Sequence, residues 1–134
     1  MKHDFCISTE KKVCFMDMTA SIAQLIKQSK IKNGMCFVYI PHTTCAVTIN
    51  ENADPDVRSD IIKHLNKIVP QDGNYMHAEG NSAAHIKSSM LGFSASIPVW
   101  RNALTLGTWQ GIYLCEFDGP RQRKIIINVI KDDK

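Results

Sequence analysis

Apolar residues recur along this chain with two periods, and the places where the period changes mark its elements. Phe5 to Ser8 and Val13 to Met16 read as two short strands around a polar tip, Thr9-Glu10-Lys11-Lys12. The spacing then becomes helical. Ile22, Leu25, Ile26 and Ile31 form one stripe, Asp17 or Thr19 caps a helix running to about Ser29, and Asn33-Gly34 stops it. Met35 to Ile40 is an apolar strand broken by Pro41, and Ala46 to Asn50 resumes with β-branched residues. Asp54-Pro55 opens the clearest helix, because Asp accepts from the free amides of a first turn and Pro needs no partner there. Val57, Ile61, Leu65 and Ile68 give this helix one apolar face, and Pro70 ends it. A polar loop from Gln71 to Asn81 leads to a short helix, Ser82 to Leu91, capped by Asn81 or Ser82 and ended by Gly92. Phe93 to Trp100, Ala103 to Leu106, Gln110 to Phe117 and Gln122 to Ile130 are strands. Arg101-Asn102 and Asp118-Gly119-Pro120-Arg121 are the turns among them.

That order predicts an α+β fold. Short turns favour a mostly antiparallel sheet, with the helices packed on one side. The length of 134 residues suits a single compact domain over 1–134, with no repeat or linker inside it. Net charge is +3, and the basic residues are scattered apart from Lys11-Lys12 and Arg121, Arg123, Lys124. Nucleic-acid binding, which needs a dominant basic stripe, is therefore not expected. Cysteines stand at 6, 14, 36, 45 and 115, with no CxxC spacing, and read as reduced core residues. The first twenty residues carry Lys2, Asp4, Glu10, Lys11 and Lys12, unlike a signal peptide, and no run approaches the ~20 apolar residues of a membrane span. A cytoplasmic protein without membrane association is expected.

Chemically able groups concentrate in five places. Pro41-His42-Thr43-Thr44-Cys45 offers an imidazole as ligand or base, two hydroxyls for an anion, and a thiol beside the imidazole. Asn50-Glu51-Asn52 offers a carboxylate for a metal or a water. His77-Ala78-Glu79-Gly80-Asn81 has the HxE of zinc deaminases, but the PCxxC that completes their metal site is absent. The amides of Gly80, Asn81 and Ser82 precede a helix, where anions bind, and His85, Lys87 and Ser88 lie on that helix. Together His42, His77, His85 and Glu79 are candidate metal ligands. Gly107-Thr108-Trp109-Gln110-Gly111 could present a flat ring for stacking. Glu116-Phe117-Asp118-Gly119-Pro120-Arg121 ends on a guanidinium whose fork matches a phosphate. His64 reads as solvated, and neither GxxxxGK[ST] nor GxGxxG occurs.

Seven blocks, in order, make this chain resemble the YjbQ-like family, that of secondary thiamine-phosphate synthase. They are His42-Thr43-Thr44, Asn50 to Pro55, Asp72-Gly73, His77 to Asn81, Ala84 to Ser88, Leu106 to Gly111 and Glu116 to Arg121. The resemblance implies an α+β domain with a mixed, mostly antiparallel sheet, assembled as a homotrimer with pockets near subunit contacts. It also implies the joining of a pyrimidine pyrophosphate to a thiazole phosphate with release of pyrophosphate. That chemistry needs cations or a divalent metal for the leaving group. His85, Lys87, Glu51 and Arg121 are the expected catalytic residues. Thr43, Thr44, Gly80, Asn81, Ser82, Trp109 and Gln110 are expected to hold the substrate or its phosphate. Mg²⁺ would be taken by Glu51, Glu79 or Asp118, while a histidine-rich set prefers Zn²⁺. The alternatives are a trimer that binds a metal or phosphate without turnover, and a metal-assisted hydrolase.

Overall fold

Strands that follow one another in the chain mostly do not pair, and this is what builds the fold. Over residues 1–133, which the computed structural model describes, β1 (Lys2–Ser8) and β2 (Cys14–Asp17) belong to different sheets. The same holds for β3 (Gly34–Tyr39) and β4 (Cys45–Glu51), and for β7 (Gln110–Glu116) and β8 (Gln122–Lys131). Only β5 (Ser94–Trp100) and β6 (Ala103–Leu104) form a tight hairpin. The result is a five-stranded sheet, β1-β8-β3-β5-β6, and a three-stranded sheet, β2-β7-β4, with every ladder antiparallel. The expected single sheet is thus two. The polar tip at Thr9 explains the first crossing. Thr9 is buried, and its amide donates to the Arg121 carbonyl at 2.9 Å, so the segment is bound to another crossing instead of folding back as a hairpin.

The two sheets pack face to face. Cys36, Val38, Ile97, Val99, Ile125, Ile127 and Val129 of the large sheet meet Cys45, Val47, Ile112 and Leu114 of the small one. Helix α1 (Thr19–Ser29) closes one side of this core with Ile22 and Ile26, both at 0% exposure. Each such burial is worth roughly 1.5–3 kcal/mol relative to exposure. Asp17 accepts from the Thr19 amide at 2.9 Å, and Thr19 Oγ1 accepts from the Ile112 amide at 2.8 Å, so the helix start is fastened to β7. The outer face of the small sheet carries α2 (Pro55–Ile68) and α3 (Ser82–Leu91), through a second cluster containing Phe15, Ala46, Leu65, Ala84, Tyr113 and Phe117. Asp54 caps α2 as its sequence predicts, accepting from Asp56 N–H at 2.9 Å. Ile68, assigned to the apolar face by its spacing, is 65% exposed, and Val69 takes the buried place instead.

The β5–β6 turn is made by Arg101 and Asn102, with φ of 52° and 61°, the left-handed pair that a two-residue hairpin turn needs. Asn102 tolerates this conformation and uses its amide to donate to the carbonyls of Ile26 and Ile31, at 2.7 and 2.9 Å. The outer face of the large sheet is left uncovered and shows Phe37, Tyr39, Trp100 and Ile130 to solvent. Among the described residues, no helix is long and apolar enough to cross a membrane. Of the cysteines, Cys36, Cys45 and Cys115 are in the core, but Cys6 is exposed on β1 and Cys14 is half-buried.

Candidate functional site

Three crossings between the sheets gather at one end of the molecule: residues 9–13, 40–44 and 117–121. A buried ion pair lies beneath them. Arg123 is 2% exposed and Glu116 0%. The guanidinium donates from Nε to Glu116 Oε1 at 2.8 Å and from Nη2 to Glu116 Oε2, and Nη2 also reaches Thr44 Oγ1 at 2.8 Å. Glu116 accepts further from Thr9 Oγ1 at 2.7 Å and from the Asp118 amide at 3.1 Å. Thr9 Oγ1 in turn accepts from the Arg121 amide at 2.9 Å. Burial alone would raise the Glu116 carboxyl, but the bonds from Arg123, Thr9 and Asp118 and the Arg123 charge bring it below its ordinary range. Gly119 is required in this knot, because a side chain there would collide with the Lys11 carbonyl. The Gly119–Pro120 bond is cis.

On this base lies an open cleft of about 420 Å³, within the roughly 300–1,000 Å³ usual for small-molecule sites. One wall is made by the crossings: Thr43, Thr44, Asp118 and Arg121. The other is made by His77, Glu79 and Asn81 of the α2–α3 loop and by His85 of α3. The His77 and His85 rings meet edge to face, with centroids 5.5 Å apart. His77 Nε2 lies 4.0 Å from Glu79 Oε2. Asn81 ties the walls together by donating to Asp118 Oδ2 at 3.0 Å, and its own Oδ1 is buried without a partner. Arg121 donates to the Asp118 carbonyl at 2.8 Å and carboxylate at 3.1 Å, which uses part of its fork and fixes its direction.

Several residues assigned to the site by sequence lie elsewhere. Glu51 and Gln110 pair at the far end of the β4–β7 ladder, whereas Cys45 and Glu116 pair at the cleft end. Six strand steps put about 20 Å between them. Glu51 there accepts from the Asp54 amide at 3.2 Å, Gln110 closes its own turn on the Gly107 amide at 2.8 Å, and Trp109 beside it is 62% exposed. Lys87 is 2% exposed and points away from the cleft, donating to Asn66 of α2 with its ammonium 5.7 Å from the Phe117 ring centre. Burial lowers its pKa. The Gly80 carbonyl accepts from Gln71 at 3.0 Å, and Ser82 lies on a neighbouring apolar groove with Tyr75 and Met76. Neither lines the cleft, so of the three amide positions expected to hold an anion only Asn81 does.

His42 is also outside it. Its Nε2 accepts from the Lys124 amide at 2.9 Å and so must be unprotonated, holding the 40–44 crossing onto β8. Three histidines therefore do not converge. Two imidazoles on one tetrahedral ion have centroids about 5 Å apart, given metal–nitrogen bonds of about 2.1 Å. The His77–His85 pair is compatible with this. No set of three His, Cys, Asp or Glu side chains among the described residues completes such a site. Cys45 is not a nucleophile: burial pushes its thiol up to about 12.

Burial and the Arg123 guanidinium hold the His42 ring below its ordinary 6.5. A depressed histidine stabilises the fold fully above the unfolded value and less as pH falls below it. His42→Gln, which keeps an acceptor but cannot titrate, is expected to flatten the loss of stability between pH 7 and pH 5. Urea melts of both proteins across that window measure it, and identical slopes would refute it.

A small α+β protein built on two stacked antiparallel sheets, with a polar cleft over their shared end, is the class that fold and site define. The chain belongs to the UPF0047 YjbQ-like family, whose model matches residues 3–132. The UPF0047 protein of Methanocaldococcus jannaschii is 47% identical over 132 residues, covering 98% of this chain and 96% of its own. UPF0047 protein YugU of Bacillus subtilis is 44% identical, with 92% and 95% covered. Two solved structures have the same fold at a TM-score of 0.94. One is an uncharacterised YjbQ/UPF0047 protein of Clostridium acetobutylicum, 47% identical, covering 96% of this chain and 99% of that one. The other is a protein of unknown function from Sulfolobus solfataricus, 30% identical, with 98% and 97% covered.

Proposed function

We propose that the cleft is the active site of an enzyme acting on small phosphorylated compounds. The form implied by the family resemblance is thiamine-phosphate synthase-like: a pyrimidine pyrophosphate is joined to a thiazole phosphate. The supporting observation is that the hydroxyls of Thr43 and Thr44 and the Arg121 guanidinium share one cleft with two imidazoles. Arg121 and the hydroxyls would hold phosphoryl oxygens, and an imidazolium at His77 or His85 would protonate the oxygen that leaves carbon. The attacking thiazole nitrogen has no proton to lose, so no base is needed in that step. A divalent ion held by the neutral rings of His77 and His85 would supply Lewis-acid polarisation in place of that proton, and nitrogen donors favour Zn²⁺ over Mg²⁺.

A hydrolytic reading is favoured by a different observation. Trp109, the expected platform for a flat ring, is at the far end, and the cleft is polar and open. Water would then attack phosphorus and give its proton to one imidazole, while the ester P–O bond breaks and the leaving alkoxide takes a proton from the other. Incubating purified protein with the two thiamine precursors, and separately with a simple phosphate monoester, distinguishes the cases. Coupled product with pyrophosphate supports the transferase. Free phosphate from the ester supports the hydrolase. Neither product, with phosphate bound, leaves a binding protein.

The homotrimer is proposed on the uncovered sheet face. Phe37 and Tyr39 stand side by side on β3, with Ile130 on the neighbouring β8 and Trp100 on β5, an apolar strip of the kind that marks association sites. Light scattering is expected to give three times the chain mass, falling to one chain for Tyr39→Asp. A monomeric wild type at micromolar concentration would rule the trimer out.

A further inference from the structure

We infer that Arg123, sealed beneath the cleft, is a positioning residue that aims the Thr44 hydroxyl at a bound phosphoryl oxygen. The inference rests on the reading of the cleft as a phosphate site. It adds how one donor is set and what ligand that donor selects.

A threonine hydroxyl can donate one hydrogen bond and accept others, and its proton ordinarily rotates to suit. Here the choice is removed. Arg123 Nη2 donates to Thr44 Oγ1 at 2.8 Å, and a guanidinium has no acceptor to offer in return. The hydroxyl proton must therefore point away from Arg123. Among the described residues it reaches no acceptor: the only bond at Thr44 Oγ1 is the one it accepts. Thr44 is 5% exposed, and what surface it keeps lines the cleft. Its side chain is β-branched and stiff, and its carbonyl accepts from both the Phe117 amide at 3.3 Å and Arg123 Nη2 at 3.2 Å. The residue is thus held by its carbonyl and its hydroxyl oxygen, and the hydroxyl proton is left for the cleft.

Arg123 itself cannot move to a different partner. Both Nε and Nη2 are held by Glu116, which also holds the Asp118 amide. Thr43, by contrast, is exposed and makes no side-chain bond among the described residues, so its donor is not aimed. A donor fixed before the ligand arrives favours an oxygen that only accepts. Phosphate and pyrophosphate satisfy this; a neutral hydroxyl compound of the same shape gains little from it.

The test is calorimetric titration of inorganic phosphate and pyrophosphate into the wild type, Thr44→Ser, Thr44→Val, Arg123→Lys and the Thr44→Val/Arg123→Lys double variant. Thr44→Val is expected to bind about tenfold more weakly and Thr44→Ser within about threefold of wild type, since serine keeps the hydroxyl. Arg123→Lys is expected to lose about tenfold, and the double variant to bind no more weakly than either single one, because the arginine acts through the threonine. Arg123→Gln, which leaves Glu116 free to take up a proton, is carried through the same cycle in case the lysine variant does not fold. Wild-type affinity in Thr44→Val, or losses that add in the double variant, would overturn the inference while leaving the cleft reading intact. A wild type that binds neither anion and processes no phosphorylated compound fails the cleft reading and takes this inference with it.

Discussion

Glu116→Gln is expected to destabilise the protein by about 3–5 kcal/mol, the usual cost of removing one partner from a buried ion pair. Against a total stability of roughly 5–15 kcal/mol, this places the variant near unfolding at physiological temperature. The size follows from what is left behind. Arg123 is 2% exposed, and a guanidinium does not give up its proton at any pH the fold survives. The reverse change, Arg123→Met, is expected to cost less. An unpaired, buried Glu116 carboxyl can take a proton, so the deficit of that variant should shrink between pH 7 and pH 5, whereas the deficit of Glu116→Gln should hold over that range and shrink only where the wild type itself loses the pair. In the wild type the carboxyl is depressed, so its contribution is complete above the ordinary 4.5 and is lost as pH falls through the lower folded value. Urea melts at pH 7, pH 5 and pH 3 measure all of this. A loss below about 1 kcal/mol for Glu116→Gln would mean that water reaches the pair.

His85→Ala is expected to lower turnover by about 10²–10⁴-fold on the proposed reading, the range for a general acid or base. The ring is carried on α3, whose N-terminal side is held by the bond between Asn81 and Asp118, so its place relative to Arg121 is set by regular structure. His77 sits in a loop, with a charged neighbour 4.0 Å away but no bond holding it, and its removal is expected to cost about tenfold. Arg121→Ala should chiefly raise the KM for the phosphorylated substrate. Single-turnover rates for the three variants separate these roles. Equal rates for His85→Ala and wild type would move the chemistry out of this cleft.

Most of the secondary structure was legible because its signals are local. Asp54-Pro55 caps the helix it predicts, and Arg101-Asn102 is the turn it predicts. Pairing was not legible, because the decisive contacts join residues such as Thr9 and Glu116, separated by 107 positions. The cleft was half legible. Thr43, Thr44, His77, Glu79, Asn81, His85 and Arg121 do come together, the threonines and the arginine on crossings and the others on the α2–α3 loop and α3 that face them. Glu51, Trp109 and Gln110 were misplaced because a motif gives no measure of which end of a strand it occupies. Lys87 was misplaced because helical spacing puts it two positions from His85, on another face. Arg123 passed as part of a basic cluster, yet a signal for it existed. It shares the alternating phase of Ile125, Ile127 and Val129, and a charge in that phase must point inward and needs an acid to meet it.

The same four side chains that clasp the sheets at the cleft end, Glu116, Arg123, Thr9 and Thr44, also form the base it stands on, so shape and stability are tied together there. On the proposed reading, substitutions meant to change what the cleft accepts are tolerated better on the opposite wall, where the residues between the second and third helices answer to no buried charge.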